Sequence, residues 1–599
     1  MIYLEKWLLR NVKANINKLS KEFGISEVLT RILLNRGIYN KSDERRFINP
    51  SLNMLYNAKL MKDIEKGAFI IKDAVEDSQS ILIVGDYDVD GIMSTYMLYE
   101  AISKFTNKVS YYIPDRITEG YGINENIILY AKDNNFDVII TCDNGIAAIK
   151  QMEMAKKFGM KVVITDHHDV PFVEENGKKS FVVPNADAVV NPKQEDCKYP
   201  FNKLCGAGVI FKFIQVLYEI MNIDICQSYS FLEYAAIATV CDVVDIIDEN
   251  RIIVKKGLEL INNTKNIGLK ALINEVGLGD KEINVYSLGF VIGPTINAVG
   301  RLKHAKIALK LLLCKDEKEA VEFAKELHEF NVERQEITNL GVQKAEEVIE
   351  KLHFSMNKVL VIHLNDIHES VAGIIAGRIK EKYNVPTIIF TDANEGIKGS
   401  GRSIEEYNMF EGLVECRDLI EKFGGHPMAA GLSLKSLDMV DKLRTKLNAN
   451  CTLSDEDIVP KVHIDMQLHI DYVSLELSEE IKSLEPFGKG NPKPIFADKA
   501  VSIINANVIG KNKNVIKLKI KSNSGRILNA IYFNGVYEFE KVIIDGYGEN
   551  ELKKLYSSYS GSVKLDITFN IETNEFMNNK TVQLVIKNFR NHSERTARK

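Results

Sequence analysis

What the chain lacks narrows it first. Its 599 residues hold only 8 cysteines, at 142, 197, 205, 226, 241, 314, 416 and 451, and no two form a C-x-x-C pair. That spacing offers neither a zinc clamp nor a redox couple, and it fits a reducing, cytoplasmic setting. With 13 Pro and 37 Gly there is no collagenous, mucin-like or prion-like bias. Uninterrupted apolar runs of about 18 residues are missing, which excludes membrane-spanning helices. Glu5, Lys6 and Arg10 break up the first ten residues, where a signal peptide would need its apolar centre. Charge of one sign is absent too. A net charge of −5 with a pI near 6.2 excludes a passive coat on nucleic acid, so any polyanion contacts must be concentrated in local grooves.

At roughly 150 residues per domain, the length predicts about three to five domains with ample apolar core. Residues 1–75 read as a small helical leader, with Ser26 capping VLTRILLNRG and Gly37 ending the turn. From 76 to 265 the pattern changes. ILIV (81–84), DVII (137–140) and KVVI (161–164) are β-rich runs without polar alternation, separated by helical stretches. Such runs predict a parallel sheet covered on both faces. Residues 266–352 read as helical and end in a charged amphipathic run (316–352) too long for an ordinary globular helix, so it is expected to bridge two bodies. KVLVIHL, VAGIIAGRIKEKY and TIIF predict a second α/β domain over 353–455, and the alternating strands of 456–599 predict a small β-barrel.

The acidic residues are placed informatively. Asp86, Asp88 and Asp90 follow ILIV in GDYDVDG; Asp143 follows DVII in TCDNG; Asp166, His167 and His168 follow KVVI in TDHHD; Asp242 stands in AIATVCDVVDII. Ligands of an open parallel sheet bind beyond the carboxyl ends of its strands, so these groups are expected to share one cleft. A lone aspartate after a strand is ordinarily a helix cap, Asp143 ahead of NGIAAIK above all. Four separate runs delivering acid or imidazole to one edge argue otherwise. Crowded carboxylates need cations, and Asp and His donors without thiolate favour Mn²⁺ or Mg²⁺ over structural zinc. Two such ions are the standard clamp for phosphate-ester hydrolysis.

At GDYDVDG, CDNG, TDHH and TVCDVVD the sequence resembles the DHH phosphoesterase superfamily. YYIPDRITEGYG, GPTINAVGRL, KGSGRSI, FGGHPMAAGL and LEPFGKGNPKPIF narrow the resemblance to its RecJ family of single-strand-specific DNA exonucleases, over about 34–590. The resemblance implies a parallel-sheet DHH domain, an α/β DHH-associated domain joined to it by a long helix, and an oligonucleotide-binding barrel. It implies 5′-to-3′ hydrolysis of single-stranded DNA to mononucleotides with two Mn²⁺ or Mg²⁺ ions, in repair and recombination. Carried over by residue, Asp88, Asp90, Asp143, His167 and Asp242 are expected metal ligands, with Asp143 bridging and Asp86 binding the first ion or assisting. Asp166 is expected to orient its neighbours and His168 to stand near the scissile phosphate. Arg116, Arg301, Ser400 and Arg402 are expected on phosphate, with His426 facing the metals. GSGRS supports this physically, since its small residues let backbone amides approach an anion beside a planar guanidinium.

In the C-terminal region Lys517, Lys519 and Lys521 alternate with Ile516, Leu518 and Ile520, giving one strand a basic face. Near Phe487, Tyr532 and Phe533 that face is expected to line a groove for a single strand, by charge and base stacking. A monomer, with single-strand-binding protein or helicase as partners, completes the expectation. A DHH phosphodiesterase of short oligonucleotides or cyclic dinucleotides would share the metal site but lack the barrel, and a non-catalytic relative would have lost ligands.

Overall fold

The computed structural model describes residues 5–175, 178–393, 396–557, 562–576 and 579–592. They divide into two compact units, residues 52–460 on one side and residues 5–51 with the described part of 461–599 on the other.

In the first unit a five-stranded sheet is parallel throughout, in the order Val109–Tyr112, Ile81–Val84, Val138–Cys142, Lys161–Thr165, Ala188–Val190. Alternate side chains of one strand enter different cores. Ile81 and Ile83 join a cluster with Met93, Met97, Phe211, Phe213 and Ile237, whereas Leu82 and Val84 join one with Ile127, Ile128 and Met152. Both faces are therefore dry, which is why these strands show no polar alternation.

The helix Glu317–Lys351 is 35 residues long, or about 52 Å at 1.5 Å per residue. Ala320, Ala324 and Leu327 near its start belong to the core of the parallel-sheet domain; Ala345 and Ile349 near its end belong to the core of the next domain. It bridges two bodies, as its length implied. That next domain holds a mixed sheet in the order Lys422–His426, Ala429–Leu434, Ile397–Arg402, Thr387–Asp392, Leu360–Leu364. Only the last pair is parallel.

In the second unit Phe496–Ile509, Val515–Lys521, Ile527–Phe533, Asn579–Asn591 and Lys564–Phe576 pair in turn, and the last pairs back onto the first. This closed ring is the expected barrel, and closure removes its sheet edges. Its core also takes in the N-terminal segment. Phe23, Leu29, Ile32, Leu33 and Phe47 cluster with Leu468, Ile470, Leu484 and Phe496, and Lys6–Leu9 pairs in parallel with Lys461–Ile464. Ser26 does cap Glu27–Asn35, accepting from the Leu29 amide at 3.2 Å.

Candidate metal centre and phosphate pocket

Each acidic residue reaches the carboxyl edge of the parallel sheet by its own backbone device. Asp86 lies just beyond Ile81–Val84, completely buried, with Gly122 N donating to Oδ1 at 3.2 Å. The chain then turns so tightly that a Cβ on Gly91 would stand 2.5 Å from the Asp86 carbonyl oxygen, which is why a glycine follows Asp90. Asp88 caps the helix Val89–Ile102, its Oδ1 accepting from Gly91 N at 3.0 Å. Asp90, in the first turn, is buried and accepts from Gly206 N at 2.6 Å and Ala207 N at 2.7 Å. Those amides open the helix Gly206–Ile220, whose dipole favours a carboxylate there.

Asp143 is not the cap its position suggested. The following helix is Ile149–Lys157, capped at Ala148, and Asp143 holds a left-handed φ of 63°. Its carboxylate faces Gly206 so closely that a Cβ there would lie 2.8 Å from Oδ1. Asp242 reaches the same place from the carboxyl end of the helix Leu232–Cys241, and so not from a strand.

These side chains form two groups whose donor atoms lie within 4.8 Å of one another, Asp86 with Asp88 and Asp143, and Asp90 with His167 and Asp242. Asp143 stands where the two meet. His167 Nε2 is 3.0 Å from Asp143 Oδ1, 3.6 Å from Asp90 Oδ2 and 3.8 Å from Asp242 Oδ2. A third grouping joins Asp143, His167 and His168.

The electrostatics are those of a site short of positive charge. Burial, then the neighbouring Asp90, Asp88 and Asp86, raises Asp143 well above the carboxylate range; burial and Asp88 do the same to Asp86. Burial and then Asp88 push Asp90 up to about 6; burial, then Asp90 and Asp88, push Asp242 up to about 8. Burial and the adjacent His168 lower His167 to about 3, so its imidazole is neutral and able to ligate. Asp86 Oδ2, Asp143 Oδ1 and His167 Nε2 are buried without a hydrogen-bond partner, a costly arrangement unless an ion completes them. The donor set, five carboxylates and an imidazole with no thiolate, fits Mn²⁺ or Mg²⁺.

Asp166 differs. Its Oδ2 accepts from Ile146 N at 2.9 Å, while Oδ1 accepts from the amides of His167 and His168 and lies 2.7 Å from His168 Nδ1. Burial would raise it, but the bonds to His168 and Ile146 outweigh burial and hold it at about 2. Burial likewise opposes charge on His168, and Asp166 overrides it, raising His168 to about 9. His168 is thus held protonated by Asp166, while burial and crowding push the neighbouring carboxylates Asp86, Asp143 and Asp242 toward their neutral forms. His426 lines a cavity of about 420 Å³ together with Asp166, His167, His168, Tyr121 and Lys193.

Arg116, Arg301, Ser400 and Arg402 all line a separate cavity of about 270 Å³ in the same unit. Arg301 Nη1 donates to Ser370 O at 2.8 Å, and burial with the nearby Arg116, Arg334 and Arg402 lowers it to about 9. Arg402 is lowered by burial and Arg116, and its Nη1 donates to Gly401 O at 2.7 Å and Ser400 Oγ at 3.2 Å. Arg116 lies over the Tyr87 ring, 5.0 Å from its centroid. The single carboxylate of the lining, Glu369, is paired with Lys398 at 2.9 Å. Three guanidiniums therefore share a pocket whose single carboxylate is already paired with Lys398, a lining of the chemistry that suits an anion.

The sequence does not single out Tyr121, whose only local signal is its GYG setting. Its Oη donates to Asp143 O at 2.8 Å and lies 3.1 Å from His168 Nδ1, and its ring meets Tyr87 edge-on at 6.4 Å, between the two cavities. The amides of Gly206 and Ala207 were equally unread; LCGAG ahead of an apolar helix is their signal.

In the barrel, Lys517, Lys519 and Lys521 are exposed and alternate with buried Ile516, Leu518 and Ile520. In the neighbouring strands Asn507 pairs with Lys517, Asn505 and Asn529 with Lys519, and Ser502 with Lys521. The aromatic residues divide. Phe533 is exposed, but Tyr532 packs edge-on to Phe589 at 5.0 Å and Phe487 leans on the core.

Known proteins give the same architecture. Family models match at residues 80–239 (DHH family, N-terminal domain), 356–452 (DHHA1 domain) and 464–588 (RecJ OB domain). The chain is 36% identical over 577 residues to the single-stranded-DNA-specific exonuclease RecJ of Bacillus subtilis, covering 96% of this chain and 69% of that protein. To the Escherichia coli protein of the same name it is 30% identical over 587 residues, covering 94% and 95%. RecJ from Thermus thermophilus in complex with Mn²⁺ superposes with a TM-score of 0.79 at 23% identity, over 98% of this chain and 80% of that one. A second structure, exonuclease RecJ bound to manganese, matches with a TM-score of 0.56 at 28% identity, over 67% of this chain and 96% of that one. Among the described residues no helix is long and apolar enough to cross a membrane.

Proposed function

The chain belongs to the RecJ family, and from that premise we propose that it is a single-stranded-DNA-specific exonuclease that hydrolyses phosphodiester bonds from a 5′ end and releases mononucleotides. The observation that carries the reading is the pairing of two donor groups, linked through Asp143 and His167, with an arginine pocket in the same unit whose one carboxylate is neutralised by Lys398.

Asp86, Asp88 and Asp143 would hold one divalent cation of the Mn²⁺ or Mg²⁺ class, and Asp90, His167 and Asp242 the other. When bound, such a pair supplies Lewis acidity, activating water and neutralising charge on the attacking and leaving oxygens. The protein's own residues do the rest. Gly122, Gly206 and Ala207 fix two of the carboxylates through backbone amides. Asp166 holds His168 charged and aimed, so that its imidazolium can meet a non-bridging oxygen of the scissile phosphate. Arg116, Arg301, Ser400 and Arg402 take the 5′-phosphate, and His426 closes the far side of the cleft.

The single strand would thread between the parallel-sheet domain and the DHH-associated domain, through a passage too narrow for a duplex. Lys517, Lys519 and Lys521 would track the strand's backbone by charge, with Phe533 as a stacking surface. The eight free thiols support a reducing, cytoplasmic setting, in which the chain would work as a monomer on strands exposed by helicases or by single-strand-binding protein in repair and recombination.

The test is degradation of a 30-nucleotide strand labelled at either end, in Mn²⁺, beside a cyclic dinucleotide. Immediate release of the 5′ label as mononucleotide, with the cyclic dinucleotide left intact, is the expected result. A 5′ label retained on long products would overturn the polarity, and preferential cleavage of the cyclic dinucleotide would overturn the substrate.

A further inference from the structure

The helices Leu232–Cys241 and Asp248–Ile261 form a hairpin whose connecting turn begins with Asp242. At the far end of the hairpin the two helices meet closely, since a Cβ on Gly257 would lie 2.4 Å from Leu232 O. At the near end a buried amide closes it. Asn250 is fully buried, and its Nδ2 donates to Asp245 O at 3.0 Å and to Lys203 O at 2.7 Å. Both partners are carbonyls, so the side chain can present only its nitrogen to them. Lys203 Nζ adds an ion pair with Asp245 Oδ2 at 2.6 Å.

What Asn250 joins is the frame of one cation site. Lys203 leads into the segment whose Gly206 and Ala207 amides hold Asp90, and the Leu204 backbone bears on the His167 ring. On the other side, Asp245 lies three residues after Asp242. Asp90, His167 and Asp242 are the donors of a single group. Within it Asp90 has two amides to aim it. Among the described residues none donates a hydrogen bond to the Asp242 carboxylate, which His167 approaches only to 3.8 Å, so its place is set through its backbone. That backbone is strained. Val243 takes a left-handed φ of 57°, the only β-branched residue to do so among those described, and it is 59% exposed. Its side chain gains no burial in return, so packing does not account for the conformation. Such a residue persists where its surroundings impose it, and such residues cluster at functional sites.

We propose that Asn250 is a positioning residue for the cation of the Asp90, His167 and Asp242 group: by tying Lys203 to Asp245 it fixes where Asp242 stands relative to Asp90, and the strain at Val243 is a consequence of that tie. The inference rests on the two-cation reading above and adds to it how a carboxylate without a hydrogen bond of its own is held in place. Asn250 touches neither ion nor strand and acts only through the two backbone carbonyls it joins. Groups that orient metal ligands in this way govern affinity for the ion more than the fold.

The test is Mn²⁺ titration of the chelator-treated full-length protein, followed by calorimetry and electron paramagnetic resonance, with Mn²⁺ activation of strand cleavage read alongside. The parent should take up two ions that couple magnetically. Asn250→Ala should bind one ion within about twofold of the parent and the other about 10- to 100-fold more weakly, so that an uncoupled Mn²⁺ spectrum persists to higher concentration. The Mn²⁺ midpoint for activity should rise by the same factor, while KM for the strand at saturating Mn²⁺ holds. Val243→Gly relaxes the strain at an exposed position and frees Asp242 from the tie. It should weaken the same ion by about tenfold, with Tm in chelator at or above that of the parent. Equal weakening of both ions in step with a lower Tm would make Asn250 a purely structural residue and overturn the proposal. An unchanged second ion in either variant would overturn it as well. If Asn250→Ala does not fold, the Val243→Gly result decides alone. A parent that takes up no second ion would instead sink the two-cation reading, and this inference with it.

Discussion

Asp143 Oδ1 and His167 Nε2 lie 3.0 Å apart, both buried, yet neither forms a hydrogen bond. Two polar atoms held this close without bonding face a common third point, and the raised Asp143 and lowered His167 mark that point as wanting a cation.

Asp143→Ala removes the carboxylate of the first donor group that also reaches the second, through its 3.0 Å approach to His167. Cleavage should fall by at least about 10³-fold, the scale of losing metal-borne charge stabilisation. Binding of a long single strand, measured by anisotropy, should stay within a few-fold of the parent. Turnover at a tenth of the parental rate would show that Asp143 does not link the two groups.

The pH dependence of stability follows from the same crowding. Asp242 is pushed up to about 8, with Asp86 and Asp143 also raised by burial, so the metal-free folded protein binds more protons than the unfolded chain near neutrality. Stability therefore falls as pH rises through that range. The opposing contribution of His167, lowered to about 3, acts only below about pH 6.5, the ordinary histidine value. Thermal unfolding with chelator should show a lower Tm at pH 8.5 than at pH 6.5, and Mn²⁺ should raise Tm more at the higher pH. A Tm increment independent of pH would contradict the site.

The arginine pocket makes a prediction about strand ends. Arg402→Ala should reduce the preference for a 5′-phosphorylated over a 5′-hydroxyl strand by about tenfold to a hundredfold, the loss of a charge-assisted hydrogen bond of ~1.5–3 kcal/mol. Competition between the two strands in one tube measures it. An unchanged preference would move the 5′-phosphate elsewhere.

For the barrel, truncation after about residue 455 would be a poor test, because Phe23, Leu29, Ile32 and Phe47 would lose the residues they pack against. Lys517→Ala, Lys519→Ala and Lys521→Ala together leave the core intact. Log–log salt dependence of binding to a long strand should flatten by about 2, at ~0.7 per phosphate contact, while the rate on short strands holds. An unaltered slope would return these lysines to ordinary surface.

Much of this was legible beforehand, for definite reasons. ILIV, DVII and KVVI could be read as parallel strands because both of their faces are buried, and the acids after them therefore fell at one edge. Asp242 was found for its company, while its route, a helix terminus, was not foreseeable from an apolar run. Asp143 invited reading as a cap because nothing local announces a left-handed aspartate; the neighbouring chain imposes it. Tyr532 alternates properly for a groove but turns to Phe589, a contact made across strands distant in sequence. For the same reason the affinity of residues 5–51 for the barrel was invisible: amphipathic helices declare an apolar face without naming what it meets.

That last attachment has a consequence for biosynthesis. Helices Ile16–Phe23 and Glu27–Asn35 leave the ribosome well before Leu468, Phe496 and Phe569, against which they settle and which follow about 430 to 550 residues later. At ~5–20 residues per second the wait is about 20 seconds to about two minutes. The parallel-sheet body can mature during that interval, while the apolar faces of these helices wait uncovered, natural clients for chaperones until the barrel strands emerge.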